Sequence, residues 1–351
     1  MLSRFFFFAA FLIFIVFMLA LDLGVFHKKD HEIKMREAAI WTVIWVTLAM
    51  LFGVLLLFRA EWVHDIRCIE DLLAYVKGTD LAPLIQPDMS YSEALKIYRK
   101  EIFSQYLAGY FLEESLSIDN IFVMIMIFVS FGINKKYYHR ILFWGILGAI
   151  VMRFLFIFLL GALVGRFSWV LAIFGLILIY SGVKMFVKKN DEHIDTANHP
   201  MVKLASRFFP VTREVRDHSF FVQLDGRTFM TPLFLVLLVI EFSDIIFAVD
   251  SIPAVFSVTT DTYIVFFSNI FAIMGLRSLF FLLSNVTDRF WLLRYGLGLL
   301  LCFIGVKMIG HEFFHFTITT VHSLMIILGI LVGSVLLSLI IPHRKKKVTL
   351  G

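Results

Sequence analysis

The feature that most constrains this chain is acidic residues set inside apolar runs long enough to cross a bilayer. The clearest case is residues 241–255, EFSDIIFAVDSIPAV, where Glu241, Asp244 and Asp250 lie among Ile, Phe, Val and Ala. A charged side chain at a bilayer centre costs about 2.5–3.5 kcal/mol on insertion scales. Whatever makes these charges tolerable therefore bounds both the fold and the function. Composition agrees with the runs. Of 351 residues, 60% are hydrophobic and 17% charged, against about 25% charged for a soluble domain. About 20 apolar residues cross the hydrocarbon. The expected class is an all-α polytopic membrane protein.

Nine transmembrane helices are expected, near 4–26, 38–59, 102–132, 139–160, 166–188, 229–257, 263–285, 290–311 and 318–342. The first run is too long for a signal peptide and lacks a small-x-small cleavage pattern, so it reads as a retained span. The chain then divides into two amino-terminal helices (1–60), an extracytoplasmic loop (61–101) and a three-helix unit (102–188). A cytoplasmic loop (189–228), a second three-helix unit (229–311) and a final helix with a basic tail (312–351) follow. The two long loops mix charge with Pro and Asp, and are expected to be ordered surface loops or short helices. The tail PHRKKK places the carboxyl terminus in the cytoplasm, and nine spans then leave the amino terminus outside. The loops HKKDHEIKMR, NKKYYHR and 189–228 fall inside, whereas those near 161–165, 258–262 and 312–317 carry almost no Lys or Arg. The net charge of +5 thus reports topology, and no nucleic-acid partner is expected.

The two three-helix units look like copies of each other. GVKM occurs at 182–185 and again at 305–308. Upstream of each lies an arginine within an apolar span, Arg153 and Arg277. Aligning Asp119 with Asp250 also places Glu113 opposite Asp244. Three helices per copy, joined by a cytoplasmic loop, make the copies antiparallel. This is the inverted-repeat plan of many transporters, whose substrate sites lie at the midplane between the repeats.

On a helix Glu113, Ser117 and Asn120 fall on one stripe, as do Asp244 and Ser251. Asp119 and Asp250 point elsewhere on an ideal helix, and Pro253 suggests a local unwinding that turns Asp250 toward the site. Four carboxylates converging without compensation repel and take up protons. A hard divalent cation removes the conflict, and carboxylate, amide and hydroxyl oxygens suit Mn²⁺, Ca²⁺ or Mg²⁺. Intramembrane acids are functional by default. Glu241, Ser251, Ser117, Arg153 and Arg277 are expected to support the site. The bland alternative is structural pairing of the acids with Arg153 and Arg277. Lys184 and Lys307, near span ends, are expected to snorkel.

YLAGYFLEESLSIDN and EFSDIIFAVDSIPAV resemble the two signature stretches of the TerC family of integral membrane proteins, its Alx branch included. ALDLGVFHKKDHEIKMREAAIWTVIWV, GLR at 275–277 and both GVKM stretches resemble the family too, so the likeness covers roughly residues 20–340. The resemblance implies Mn²⁺ efflux across a bacterial inner membrane, and links to tellurium resistance, alkaline pH and metal supply to exported enzymes. It implies Glu113, Asp119, Asn120, Asp244 and Asp250 as metal ligands. Glu114 stands where the family pattern often has Lys, a departure that bears on local charge.

Other readings compete. HEFFH at 311–315 matches the H-E-x-x-H zinc-protease pattern, with His311 and His315 on one helix face and Glu312 as base. It lacks an obvious third ligand downstream. An intramembrane aspartyl protease built on Asp119 and Asp250 lacks a GxGD-type partner motif, and a non-transporting membrane factor is a third class. Cys68 and Cys302 form no metal or disulfide pattern. Trp41 reads as an interfacial anchor, and His27 and His31 as solvated or weak metal contacts. The partners expected are therefore a divalent metal ion, the lipid bilayer and protons in exchange, with the oligomeric state left open.

Overall fold

The computed structural model describes residues 2–24, 35–77, 79, 81–167, 169–187, 200–208, 210–212, 219–224, 227–284, 292–314 and 318–341. His27, His31, most of the 27–36 and 189–218 loops, His315 and the basic tail lie outside them.

The described residues form twelve α-helices. Nine are long: α1 (Leu2–Gly24), α2 (Met35–Arg59), α5 (Tyr91–Ser130), α6 (Tyr138–Val164), α7 (Trp169–Val187), α9 (Pro232–Phe256), α10 (Thr262–Leu283), α11 (Leu293–Phe314) and α12 (Thr320–Ile340). These coincide with the nine apolar runs. Seven are long and apolar enough to cross a membrane by length and composition. The other two are α5, which carries Glu113, Glu114 and Asp119, and α1, whose described apolar stretch Phe5–Leu21 is shorter. The protein is an all-α polytopic membrane protein, and length and composition alone account for seven of the nine expected spans.

Three short helices, α3 (Glu61–His64), α4 (Ile69–Val76) and α8 (Pro200–Phe208), lie in the polar segments. So does a hairpin of β1 (Phe221–Leu224) and β2 (Arg227–Met230), which the apolar patterning did not announce. Helix α5 begins at Tyr91, well before the expected start near 102. Ser90 and Glu93 form a capping box that closes the free amides of its first turn. The last part of the expected 61–101 loop is therefore helix. Helix α9 runs through Pro253 without the expected unwinding. That proline lies in the final turn, where the missing amide disturbs only the end of the hydrogen-bond ladder.

Helix α10 is buried along nearly its whole length and packs against α5, α2 and α6. Its aromatic face meets α1 and α2, with ring centroids of Phe11 and Phe267 at 4.6 Å and of Phe52 and Phe271 at 5.0 Å. Large rings filling this seam account for part of the unusual Phe content.

The helix contacts carry an internal exchange relation. Helix α5 packs on α10 as α9 packs on α6, and α7 packs on α9 as α11 packs on α5. Helices α7 and α11 cross antiparallel through paired glycines. A Cβ on Gly175 would meet Gly305 O at 3.0 Å, and one on Gly298 would meet Gly182 O at 3.0 Å. Gly182 and Gly305 open the two GVKM stretches, and Gly175 and Gly298 each stand seven positions earlier. Exchanging one unit for the other thus maps one close contact onto the other, as an inverted arrangement requires.

Candidate functional site

The acidic residues fall into two linked groups inside the bundle. In the first, Arg153 of α6 forms ion pairs with Glu113 of α5 and Asp244 of α9, the latter at 3.3 Å. The same guanidinium donates to Asn269 Oδ1 of α10 at 2.8 Å and to Ser251 Oγ of α9 at 3.4 Å. One side chain therefore joins four helices from both units. Every member of this group is buried. The stripes expected from helical spacing are real: Glu113, Ser117 and Asn120 are all buried on α5, and Asp244 and Ser251 both face Arg153.

In the second group, Asp119 and Asp250 line one cavity of about 300 Å³. Asn120, Ser181, Lys184 and Arg294 line it too, and Ser181 Oγ donates to Asp250 Oδ1 at 3.1 Å. Asn120 and Ser251 also line this cavity, so they connect it to the Arg153 cluster. Each pair of acids unites positions matched by the internal repeat, Glu113 with Asp244 and Asp119 with Asp250.

The convergence of all four carboxylates is not what the geometry gives. Among the described residues no group of three or more His, Cys, Asp or Glu side chains is placed to hold a metal ion. The physical reason is Arg153, whose charge stabilises Glu113 and Asp244 where they are and separates them from the open pair. The structural pairing considered as an alternative is thus present at one pair of acids, while the other pair faces open space.

The two arginines are not equivalent here. Arg277, the repeat partner of Arg153, bonds through Nη1 to His139 Nε2 at 2.9 Å. Lys184, exposed in the last turn of α7, lines the same cavity as Asp250. Lys307 donates to Ser257 O at 3.0 Å, at the carboxyl end of α9, where a cation is favourable. Glu241, one turn before Asp244 on α9, packs against Gly148 of α6, where a Cβ would collide with its carboxylate. Glu114 lies near Gly275 and Trp45, on the side of α5 that faces α2 and α10.

Sequence reasoning missed Asn269, Ser181 and Arg294. Asn269 left a signal, a polar residue eight positions before Arg277 in an otherwise apolar span. It also missed a second polar cluster at the far end of α9. His64 Nε2 lies 2.9 Å from Asp261 Oδ2, Tyr75 donates to the same oxygen at 2.6 Å, and Tyr98 Oη lies 2.7 Å from His64 Nδ1. Burial pushes the Asp261 carboxyl upward, but His64, Tyr75 and the Tyr263 amide outweigh it and hold it below the usual carboxylate range. This cluster ties α3, α4 and α5 to the turn before α10, so the 61–101 segment is anchored on the bundle.

Apolar helices enclosing a divided, charge-bearing interior define an integral membrane protein with a polar internal site. The chain belongs to the TerC family: residues 98–346 match the family described as "Integral membrane protein TerC family". Among its relatives, "Uncharacterized membrane protein STKORF319" of Myxococcus xanthus is 40% identical, covering 95% of this chain and 91% of the relative. "Putative membrane-bound redox modulator Alx" of Salmonella typhi is 39% identical, with 96% and 95% covered. The protein of the same name from Escherichia coli (strain K12) is 38% identical over the same shares. No solved structure matches the chain.

Proposed function

We propose that this protein is a divalent-cation transporter of a bacterial inner membrane that exports Mn²⁺ through its intramembrane carboxylates. The observation that carries this reading is that Asp119 and Asp250, one from each three-helix unit, face a single cavity inside the bundle. With Asn120, Ser181 and Ser251 they offer carboxylate, amide and hydroxyl oxygens, the donor set of a hard cation. Lys184 and Arg294 offset the repulsion of the two acids when the cavity is empty. Glu113 and Asp244 form a reserve of negative charge beyond Asn120 and Ser251. The choice of Mn²⁺ over Ca²⁺ and Mg²⁺ rests on the resemblance to the TerC family, because oxygen donors accept all three.

The two units, packed in an inverted relation, expose the site to one side and then the other. The amino terminus lies outside and the carboxyl terminus in the cytoplasm. Export against an inside-negative potential costs about 4.6 kcal/mol for a dication at 100 mV, so it needs coupling, and protons moving inward supply it. The test is Mn²⁺ accumulation by inside-out vesicles, competed with Ca²⁺ and Mg²⁺.

The redox name of the Alx relatives finds little support in this chain's own thiols. Cys68 and Cys302, its two cysteines, lie on different elements and are free. The HEFFH reading is disfavoured because the motif stands at the end of α11 and lacks an obvious third ligand downstream.

A further inference from the structure

Arg153 occupies the place where a cation would gain most from Glu113 and Asp244. It is 1% exposed, and a guanidinium stays charged in any protein environment. Its pairing is nevertheless incomplete. Glu113 Oε2, Asp244 Oδ2 and Ser117 Oγ are buried acceptors without a hydrogen-bond partner, and the amides of Asn120 and Asn269 and Arg153 Nε are unpartnered donors beside them. A cluster made only to cancel charge would close such atoms, because each costs free energy when left open. Asn120, on the same face of α5 as Glu113 and Ser117, lines the cavity of Asp119 and Asp250, as does Ser251, which accepts from Arg153.

We propose that Arg153 is a tethered counter-cation: it holds Glu113 and Asp244 in ion pairs whether or not a metal is bound, and so limits the number of carboxylates a metal ion can recruit. This inference rests on the divalent-cation reading. Affinity at oxygen sites rises with the number of charged ligands. With Arg153 in place, an entering dication meets Asp119 and Asp250, neutral oxygens from Asn120, Ser181 and Ser251, and water. A site of this kind binds weakly enough to release its ion on the far side. The guanidinium keeps its contacts to Glu113, Asp244 and Asn269 as the ion enters, so those two acids stay out of the ion's shell. Arg153 is thus a positioning residue that acts through the carboxylates.

The experiment is equilibrium Mn²⁺ binding and release with the purified full-length protein in detergent. Arg153→Lys keeps the charge and should bind within about threefold of wild type. Arg153→Met frees two carboxylates and should bind about tenfold tighter, with dissociation slowed to match. The triple variant Glu113→Gln, Arg153→Met, Asp244→Asn removes all three charges and should return to near wild-type affinity. Weaker or unchanged binding by Arg153→Met would overturn the proposal. If that variant does not fold, Glu113→Gln with Asp244→Asn, which leaves Arg153 unpaired, is compared with the triple variant. The unpaired arginine should weaken binding about tenfold, and equal affinities would overturn the proposal. Wild-type protein that binds no Mn²⁺ would overturn the cation reading itself, and this inference with it.

Discussion

Arg153 of α6 reaches Asp244 of α9 across 3.3 Å, and the same guanidinium pairs with Glu113 of α5. Three charges, each at most 3% exposed, share one contact. Removing one partner strands the others, which typically costs about 3–5 kcal/mol. Asp244→Ala and Arg153→Ala should therefore lower thermal stability in detergent strongly. The charge-free triple variant of these residues should melt near wild type, since neutral groups of similar shape replace a buried ion cluster at little cost. Equal destabilisation by the single and triple variants would show that packing, and not charge, holds this region.

The antiparallel crossing of α7 and α11 makes a second, purely steric prediction. A Cβ at Gly182 would lie 2.6 Å from Gly298 O and 2.7 Å from Cys302 Sγ, so Gly182→Ala must push the helices apart. Overpacking of this kind costs about 1–3 kcal/mol. Gly329 in α12 has nothing within 4 Å of a Cβ, so Gly329→Ala should be neutral or slightly stabilising. Melting temperatures of the two variants compare them directly.

The anchoring of the 61–101 segment should depend on pH with a defined sign. The folded state holds Asp261 below its ordinary value of 3.8. A depressed carboxyl contributes stability that is fully present above the unfolded value and is lost as pH falls through the folded one. Hydrogen exchange in α3 and α4 should therefore stay slow at neutral pH and speed up only in strong acid. Asp261→Asn should give the fast exchange at neutral pH. Unchanged exchange in that variant would mean that packing alone holds the segment.

Much of this architecture was readable from the sequence, for reasons particular residues make plain. Apolar runs of span length have few alternatives in a membrane, so the long helices fell within a few residues of expectation. The start of α5 was the exception. The polar turns from Ser90 to Glu101 hid the helix from a hydropathy reading, although Ser90-x-x-Glu93 carried a capping signature. The stripes on α5 and α9 were legible because helical period fixes which residues share a face. The division of four acids into two pairs was not, because it depends on which helix Arg153 faces, and that is set by packing between units. The His64–Asp261 contact was equally hidden, since its partners come from separate polar segments with no shared pattern.

The proposed coupling predicts that protons move opposite to Mn²⁺ in vesicles, and that an imposed proton gradient alone drives accumulation. If accumulation persists with the proton gradient collapsed and the membrane potential held constant, another ion supplies the work.

The most direct test of the central claim is Mn²⁺ accumulation in inside-out vesicles carrying wild-type protein, Asp119→Asn or Asp250→Asn at matched protein levels. Each substitution removes one charge from the shared cavity and nearly keeps its shape. The account predicts saturable accumulation by wild type and its loss, to about background, in both variants, because each acid supplies one of the two charged ligands that face the open cavity. Wild-type rates retained by both variants would contradict it.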